Sequence, residues 1–213
     1  MDNAVALVRA SLHVNGYFTV TEYPVLEAAR HGGYRTVTDL DVLAVRFPGA
    51  GRRVLGRGGR HRFETDPALR APTDRPDMLV AEVKEGRGRF NEATLDAGVI
   101  EAALARFGCA DPDEAASAAH DLLRRGAAQL TAGHQVRLAV FSSDGAPSHP
   151  ATLTLSLGHM VEFVQDHLRA HWDVLHHAQS RDPAMGFLML LEKATRMRPA
   201  PPSSSSSLAS HDS

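Results

Sequence analysis

One stretch decides how this chain folds: Met78-Leu79-Val80-Ala81-Glu82-Val83-Lys84. A continuous apolar run of this length predicts a buried strand. Side chains alternate across a strand, so Glu82 and Lys84 are expected on the same face, about 7 Å apart. Burying two ionisable groups at the end of an apolar strand is costly, which favours a functional reason for their presence.

Lysine is rare in this chain. Of the 23 Lys and Arg residues, only Lys84 and Lys193 are lysine. A lysine amine is a compact charge whose pKa burial can shift, whereas arginine stays charged. Lys84 is therefore suited to act beside a metal-bound water. The alternative is a solvated strand end, where Glu82 and Lys84 form a surface ion pair worth about 0–1 kcal/mol.

A second strand is predicted in the run Thr36–Phe47, which is rich in β-branched and apolar residues and has Asp41 in its middle. If the two strands pair, Asp41 meets Glu82 and Lys84 on one face. Two carboxylates alone would repel each other, and one would take up a proton. A hard divalent cation removes that conflict, and oxygen ligands suit Mg²⁺ or Mn²⁺. Alternatively, Asp41 is a satisfied polar residue near a turn.

Asp41 together with Glu82-Val83-Lys84 resembles the metal site of the PD-(D/E)xK nuclease superfamily, over residues 1–145. The resemblance implies a restriction-endonuclease-like α/β fold, with a mixed central sheet flanked by helices. It also implies hydrolysis of phosphodiester bonds. DNA is the expected substrate and RNA the alternative. Asp41, Glu82 and the Val83 carbonyl would bind Mg²⁺ or Mn²⁺, and Lys84 would orient or deprotonate the attacking water. The alternative is a catalytically inactive nuclease-like fold that binds nucleic acid or protein.

The chain departs from the superfamily pattern in three places. Leu40 precedes Asp41 where the name of the motif has proline. The literal Pro76-Asp77 lies on the same predicted strand as Glu82, so it is not expected at the site. The glutamine-containing helix motif of one branch is missing, because the first glutamine of the chain is Gln129.

Further acidic residues are candidates to complete the site. In relatives of this fold an acidic residue on the first helix often does so, and Glu22 or Glu27 could take that role. Asp39 lies on the same face as Asp41 by alternation, nearer the polar start of the strand. For Glu22 and Glu27 the alternative is an ordinary exposed glutamate.

Arginines flank the predicted site, although the net charge of −2 leaves no global polycation to hold nucleic acid. Cations beside a metal site suit a phosphodiester substrate, because they bind the phosphates while carboxylates hold the metal. The alternative is a solvated, Gly-rich hairpin. The expected nucleic-acid-binding residues are Arg52, Arg53, Arg57, Arg60, Arg62, Arg87 and Arg89.

The order of elements predicts one domain over residues 1–198 and a disordered Pro/Ser-rich tail over residues 199–213. Helices are expected at 4–13 with Asp2 or Asn3 as cap, at 93–107 after an Asn91 cap, and at 111–130 with Asp111 as cap. Two more are expected at 158–177 and 184–195. Strands are expected at 17–21, 37–47, 78–84, 135–142 and 152–157, while 25–30 suits either a strand end or a helical turn.

The compartment and partners follow from composition. Cys109 is the only cysteine, which fits a reducing cytoplasm, and no apolar run is long enough to span a bilayer. The N-terminus shows no signal-peptide pattern. Nucleic acid is the expected partner, joined by an accessory protein or by a second copy that contacts the apolar C-terminal helices.

Overall fold

A six-stranded sheet forms the centre of the computed structural model, which describes residues 2–51, 65–146 and 152–197. The strands are β1 (Phe18–Ala28), β2 (Tyr34–Arg46), β3 (Asp77–Lys84), β4 (Ala127–Gln129), β5 (Gln135–Ser142) and β6 (Leu153–Ser156). The helices in these ranges are α1 (Asn3–Val14), α2 (Ala97–Phe107), α3 (Pro112–Arg125), α4 (Leu157–Ala170), α5 (Trp172–Leu175) and α6 (Pro183–Arg196). Short 3₁₀ turns are found at Pro67–Leu69 and Ala93–Leu95.

The sheet is mixed, as the sequence predicts. β2 lies between β1 and β3 and is antiparallel to both. β3 runs parallel to β5 along its whole length. Since β3 occupies one edge of β5, the other edge is shared by β4, which is antiparallel, and β6, which is parallel. β1 is therefore an edge strand, and β3 lies inside the sheet.

Helices cover both faces of the sheet and create two apolar clusters. α2 and α3 pack on one face, against residues that include Val80 and Leu138. α1 and α4 pack on the other face, against residues that include Leu79 and Phe141. Alternate residues of β3 therefore enter opposite clusters. This double coverage explains the continuous apolar run, and it confirms the prediction of a buried strand.

Aspartates cap four of the described helices, namely α1, α2, α3 and α6. The Asp2, Asp111 and Asp182 side chains accept backbone N–H bonds from Ala4, Glu114 and Met185 at 2.9, 2.8 and 2.9 Å. Such caps satisfy N–H groups that have no partner inside the helix. Asp2 and Asp111 are caps that the sequence predicts.

Several predicted element boundaries are wrong. α2 begins at an Asp96 cap, after a 3₁₀ turn, and not at Asn91. α3 ends at Arg125 because Gly126 adopts φ +70°, a left-handed conformation that ends helices, and β4 follows. The long helix predicted at 158–177 is divided at His171 into α4 and α5. The ambiguous segment at 25–30 is mostly strand, because β1 continues to Ala28.

A buried ion pair lies at the start of β3. The Asp77 carboxylate is fully buried and accepts hydrogen bonds from Arg137 Nε at 2.8 Å, Arg137 Nη2 at 2.5 Å and the Tyr17 hydroxyl at 2.5 Å. Burial and the neighbouring Asp77 charge raise the pKa of Tyr17 far above its usual value. Asp77 thus ties β3 to β5 and to the turn between α1 and β1 that carries Tyr17. It is at the opposite end of β3 from Glu82, so the literal Pro76-Asp77 lies away from the predicted site.

The C-terminal helix belongs to the same folded unit in the described part of the chain. Leu188 of α6 is buried in a third apolar cluster with Val164 and Leu168 of α4. Arg9 of α1 binds the Asp182 cap of α6, with Nη2 at 2.6 Å from Oδ2. None of the described helices combines the length and apolar character needed to cross a membrane.

Candidate active site on β2 and β3

The pairing of β2 with β3 brings the predicted acidic residues together. The ladder places Val42 opposite Ala81, so Asp41 and Glu82, the next residues along the two strands, are neighbours. On the other side of β3, Lys84 is in register with Ser142 of β5. Asp41, in the middle of β2, therefore meets Glu82 and Lys84 at the end of β3, beside the last pair of the β2–β3 ladder.

Glu82 is held from two sides. Its side chain is only 2% exposed, and Lys84 Nζ lies 2.6 Å from its Oε2 atom. The hydroxyl of Thr94, itself fully buried in the 3₁₀ turn before α2, donates a hydrogen bond to Oε1. Lys84 is 34% exposed, so its amine forms the boundary between the buried carboxylate and solvent. Glu82 is therefore not part of a solvated surface ion pair, the alternative that the sequence left open.

Asp41 is a partly buried carboxylate beside a second one. Its Oδ2 atom accepts the Val83 backbone N–H at 2.8 Å and lies 4.0 Å from Lys84 Nζ. Burial raises the pKa of Asp41, and the neighbouring Glu82 charge raises it further, while the Val83 N–H bond and the Lys84 charge act in the opposite direction. The site therefore opposes a second negative charge in the absence of an additional cation.

The backbone is irregular where Asp41 lies. Leu40 and Val42 would share a face of a regular strand, yet Leu40 packs in the cluster beneath α2 and α3, and Val42 packs in the cluster beneath α1 and α4. On β1, the residue between the partners of Leu40 and Val42 is Glu22, which has φ +54°. A left-handed conformation at a non-glycine residue costs on the order of 1–2 kcal/mol. The change of face at Asp41 is thus supported from β1.

The structure does not add the other acidic candidates to this group. Glu22 and Asp39 are exposed on β1 and β2, and Glu27 forms an exposed ion pair with Arg35. Glu22 and Glu27 both lie on β1, outside the first helix, from which relatives of the predicted fold often supply this acid. Within residues 2–51, 65–146 and 152–197, no three His, Cys, Asp or Glu side chains form a metal-binding group.

The predicted arginines divide into two sets. Arg87 and Arg89 are exposed in the loop that follows Lys84, so they are close to the site in sequence. The remaining five lie outside the described residues; they are Arg52, Arg53, Arg57, Arg60 and Arg62.

Thr94 is a site residue that the sequence does not reveal. It is twelve residues from Glu82, in a segment predicted to be ordinary helix, and no local pattern marks its hydroxyl. The chain turns back after β3, and only this fold brings the Thr94 hydroxyl within hydrogen-bonding distance of the Glu82 carboxylate.

Hydrogen bonds to the Asp144 side chain hold the loop that follows Lys84. The Asp144 carboxylate accepts hydrogen bonds from the Gly88 N–H at 3.1 Å and from the Ser142 hydroxyl at 2.9 Å. A Cβ atom on Gly88 would lie 2.6 Å from Ser142 Oγ, so a larger residue would displace the loop. Together with the Ala146 N–H, these donors lower the pKa of Asp144.

The residues present fit a divalent cation. Asp41 and Glu82 offer hard oxygen donors from adjacent strands. Burial, and then the Glu82 charge, raises the pKa of Asp41, so a cation beside the two carboxylates would favour their ionised forms. Lys84 is the cation that now binds Glu82, and its exposure leaves it room to move away.

Comparison of the chain with protein families, with curated proteins and with solved structures found no match.

Proposed function

We propose that this protein is a metal-dependent nuclease of the PD-(D/E)xK superfamily, with a restriction-endonuclease-like fold, acting on phosphodiester bonds in DNA. The observation that carries the proposal is the meeting of Asp41, from the middle of β2, with Glu82 and Lys84, from the end of the adjacent strand β3. The mixed sheet with helices on both faces supports it as well.

Asp41 and Glu82 would hold Mg²⁺ or Mn²⁺, with the Val83 carbonyl as a further oxygen ligand. The ion, when bound, lowers the pKa of a coordinated water and stabilises the leaving oxygen. Asp41 is positioned by the Val83 N–H, and Glu82 by the Thr94 hydroxyl, so neither carboxylate depends on the ion for its orientation.

Lys84 has the role of orienting the attacking water and offsetting charge on the phosphate. Its amine lies within 4.0 Å of both carboxylates while remaining partly exposed. With an ion on Glu82, the amine would be free to face the substrate. Arg87 and Arg89, exposed in the next loop, would contact the phosphate backbone.

A second candidate function has an observation of its own. Both oxygens of Glu82 already have partners, Lys84 and Thr94, so the buried carboxylate is satisfied without a metal. This arrangement also suits a catalytically inactive nuclease-like fold that binds nucleic acid or a partner protein.

The deciding experiment compares cleavage by the parent protein with cleavage by Asp41→Ala and Lys84→Ala. Single- and double-stranded DNA and RNA are incubated with each protein in Mg²⁺ or Mn²⁺. We expect DNA cleavage by the parent and a loss of at least about 100-fold in both variants. Lys84→Ala removes the group that acts on the attacking water, and Asp41→Ala removes a ligand of the ion that activates it. Lys193→Ala is the matched control, because it removes the other lysine of the chain from the exposed side of α6.

Two outcomes separate the candidates. Equal cleavage by parent and Lys84→Ala would contradict the assignment of this site. Absence of cleavage, together with absence of Mg²⁺ or Mn²⁺ binding by calorimetry, would favour the inactive binding fold.

A further inference from the structure

Helix α6 is apolar on two opposite faces. One face is covered inside the molecule, where Leu188 is buried. The other face carries large apolar side chains at helical spacing that nothing in the described part of the chain covers. These are Phe187, Leu190, Leu191 and Met197, which are 60%, 60%, 41% and 72% exposed. A helix that is apolar on both faces is normally covered on both.

The exposed stripe is comparable in size with the largest apolar patch of a typical monomer. A large apolar side chain exposes on the order of 150–200 Å² when free, so the four together offer roughly 400 Å². The largest patch of a monomer is about 300–600 Å², and it is often functional. Ala194, also exposed, continues the stripe between Leu191 and Met197.

The stripe is complementary to itself in size. In an antiparallel pair of α6 helices whose twofold axis passes between Leu190 and Leu191, these two leucines contact each other across the axis. The same register places Phe187 opposite Ala194 of the partner. On each side of the central leucines, a large side chain of one helix therefore faces a small side chain of the other. This complementarity allows two identical helices to pack closely.

We propose that a second copy of this chain covers the outer face of α6 and forms a twofold symmetric dimer. This inference does not depend on the nuclease assignment. A standard interface buries about 800 Å² on each partner, so the stripe supplies roughly half and polar neighbours form the rim. The dimer is therefore in the weak class, and it dissociates on dilution within the micromolar range, roughly 1–100 µM.

Sedimentation velocity of the full chain, from about 1 µM to about 100 µM, tests the proposal. We expect the parent to shift from monomer to dimer over this range. Leu190→Glu, which places two like charges at the axis, is expected to stay monomeric. Leu26→Glu is the matched control: Leu26 is 59% exposed on the edge strand β1, and its variant is expected to dimerise like the parent.

A size exchange tests the register. Phe187→Ala leaves a gap and Ala194→Phe causes a clash, so each alone is expected to weaken the dimer at least about tenfold. The two changes together exchange large and small and are expected to restore it. These residues are exposed in the monomer, so folding is not at risk.

Several results would overturn the proposal. A monomeric parent at the highest concentration would remove the dimer. Disruption by Leu26→Glu but not by Leu190→Glu would move the interface to β1. Failure of the double exchange to restore association would refute the antiparallel register. A monomeric parent that floats with anionic lipid vesicles, when Leu190→Glu does not, would assign the face to a membrane surface instead.

Discussion

Replacing Thr94 by valine removes one hydroxyl from the candidate site and almost nothing else. Valine has nearly the same shape, so the buried position is not left empty. Glu82, 2% exposed, loses the donor to its Oε1 atom but keeps Lys84 on Oε2. A hydrogen bond to a charged group contributes about 1.5–3 kcal/mol. Because Lys84 remains, we expect the lower part of that range, about 2 kcal/mol of unfolding free energy.

Urea unfolding and thermal melts in EDTA measure this loss without any metal. For a chain of this size, 2 kcal/mol corresponds to a decrease of roughly 4–8 °C in Tm. Thr94→Ser is the control, since it keeps the hydroxyl and loses one buried methyl group, about 1 kcal/mol.

The affinity for Mn²⁺ shows whether Thr94 positions Glu82 as a metal ligand or only stabilises the fold. Removing a group that orients a metal ligand costs about 10- to 100-fold in metal affinity or activity. We therefore expect Thr94→Val to weaken Mn²⁺ binding by that factor, and Thr94→Ser to bind nearly as well as the parent. A valine variant as stable as the parent would refute the hydrogen bond as a stabilising contact. Equal Mn²⁺ affinity in both variants would refute the positioning role while leaving the stability result intact.

Two further predictions concern buried charge. The folded-state pKa of Asp41 is raised above its unfolded value of 3.8, so its ionisation costs stability, and this cost develops as the pH rises from 3.8 through the folded pKa. In EDTA, the stability of Asp41→Asn relative to the parent is therefore expected to increase with pH, and a difference in urea unfolding that does not change with pH would contradict this. Asp77→Asn leaves Arg137 buried without its counter-charge and is expected to cost about 3–5 kcal/mol, against less than about 0.5 kcal/mol for the exposed control Asp39→Asn. A loss below about 1 kcal/mol for Asp77→Asn would show that the pair is not a major contribution to stability.

Local interactions explain what the sequence could predict. The caps at Asp2 and Asp111 bind N–H groups two or three residues ahead, so they can be identified from short patterns. The apolar run of β3 predicts a doubly covered strand because coverage of both faces requires apolar side chains at every position. The same periodicity places Glu82 and Lys84 on one face, and their contact at 2.6 Å follows from it.

The wrong boundaries show where local signals compete. Residues 126–130 suit a helix by composition. Gly126 nevertheless ends α3, and the next residues pair with the edge of β5 as strand β4. Tertiary pairing decides such segments, because a short strand has no stability of its own.

Residues alone determined the pieces of this protein: a buried strand ending in Glu82 and Lys84, a second strand with Asp41, and helices to cover them. Only the tertiary structure decided which strands pair, and hence that Asp41 neighbours Glu82. It also decided that Thr94 supports Glu82 from 12 residues away and that Asp77 binds Arg137 from 60 residues away. The physical reason is that caps and strand periodicity depend on neighbouring residues, whereas these contacts depend on how the chain returns to the sheet.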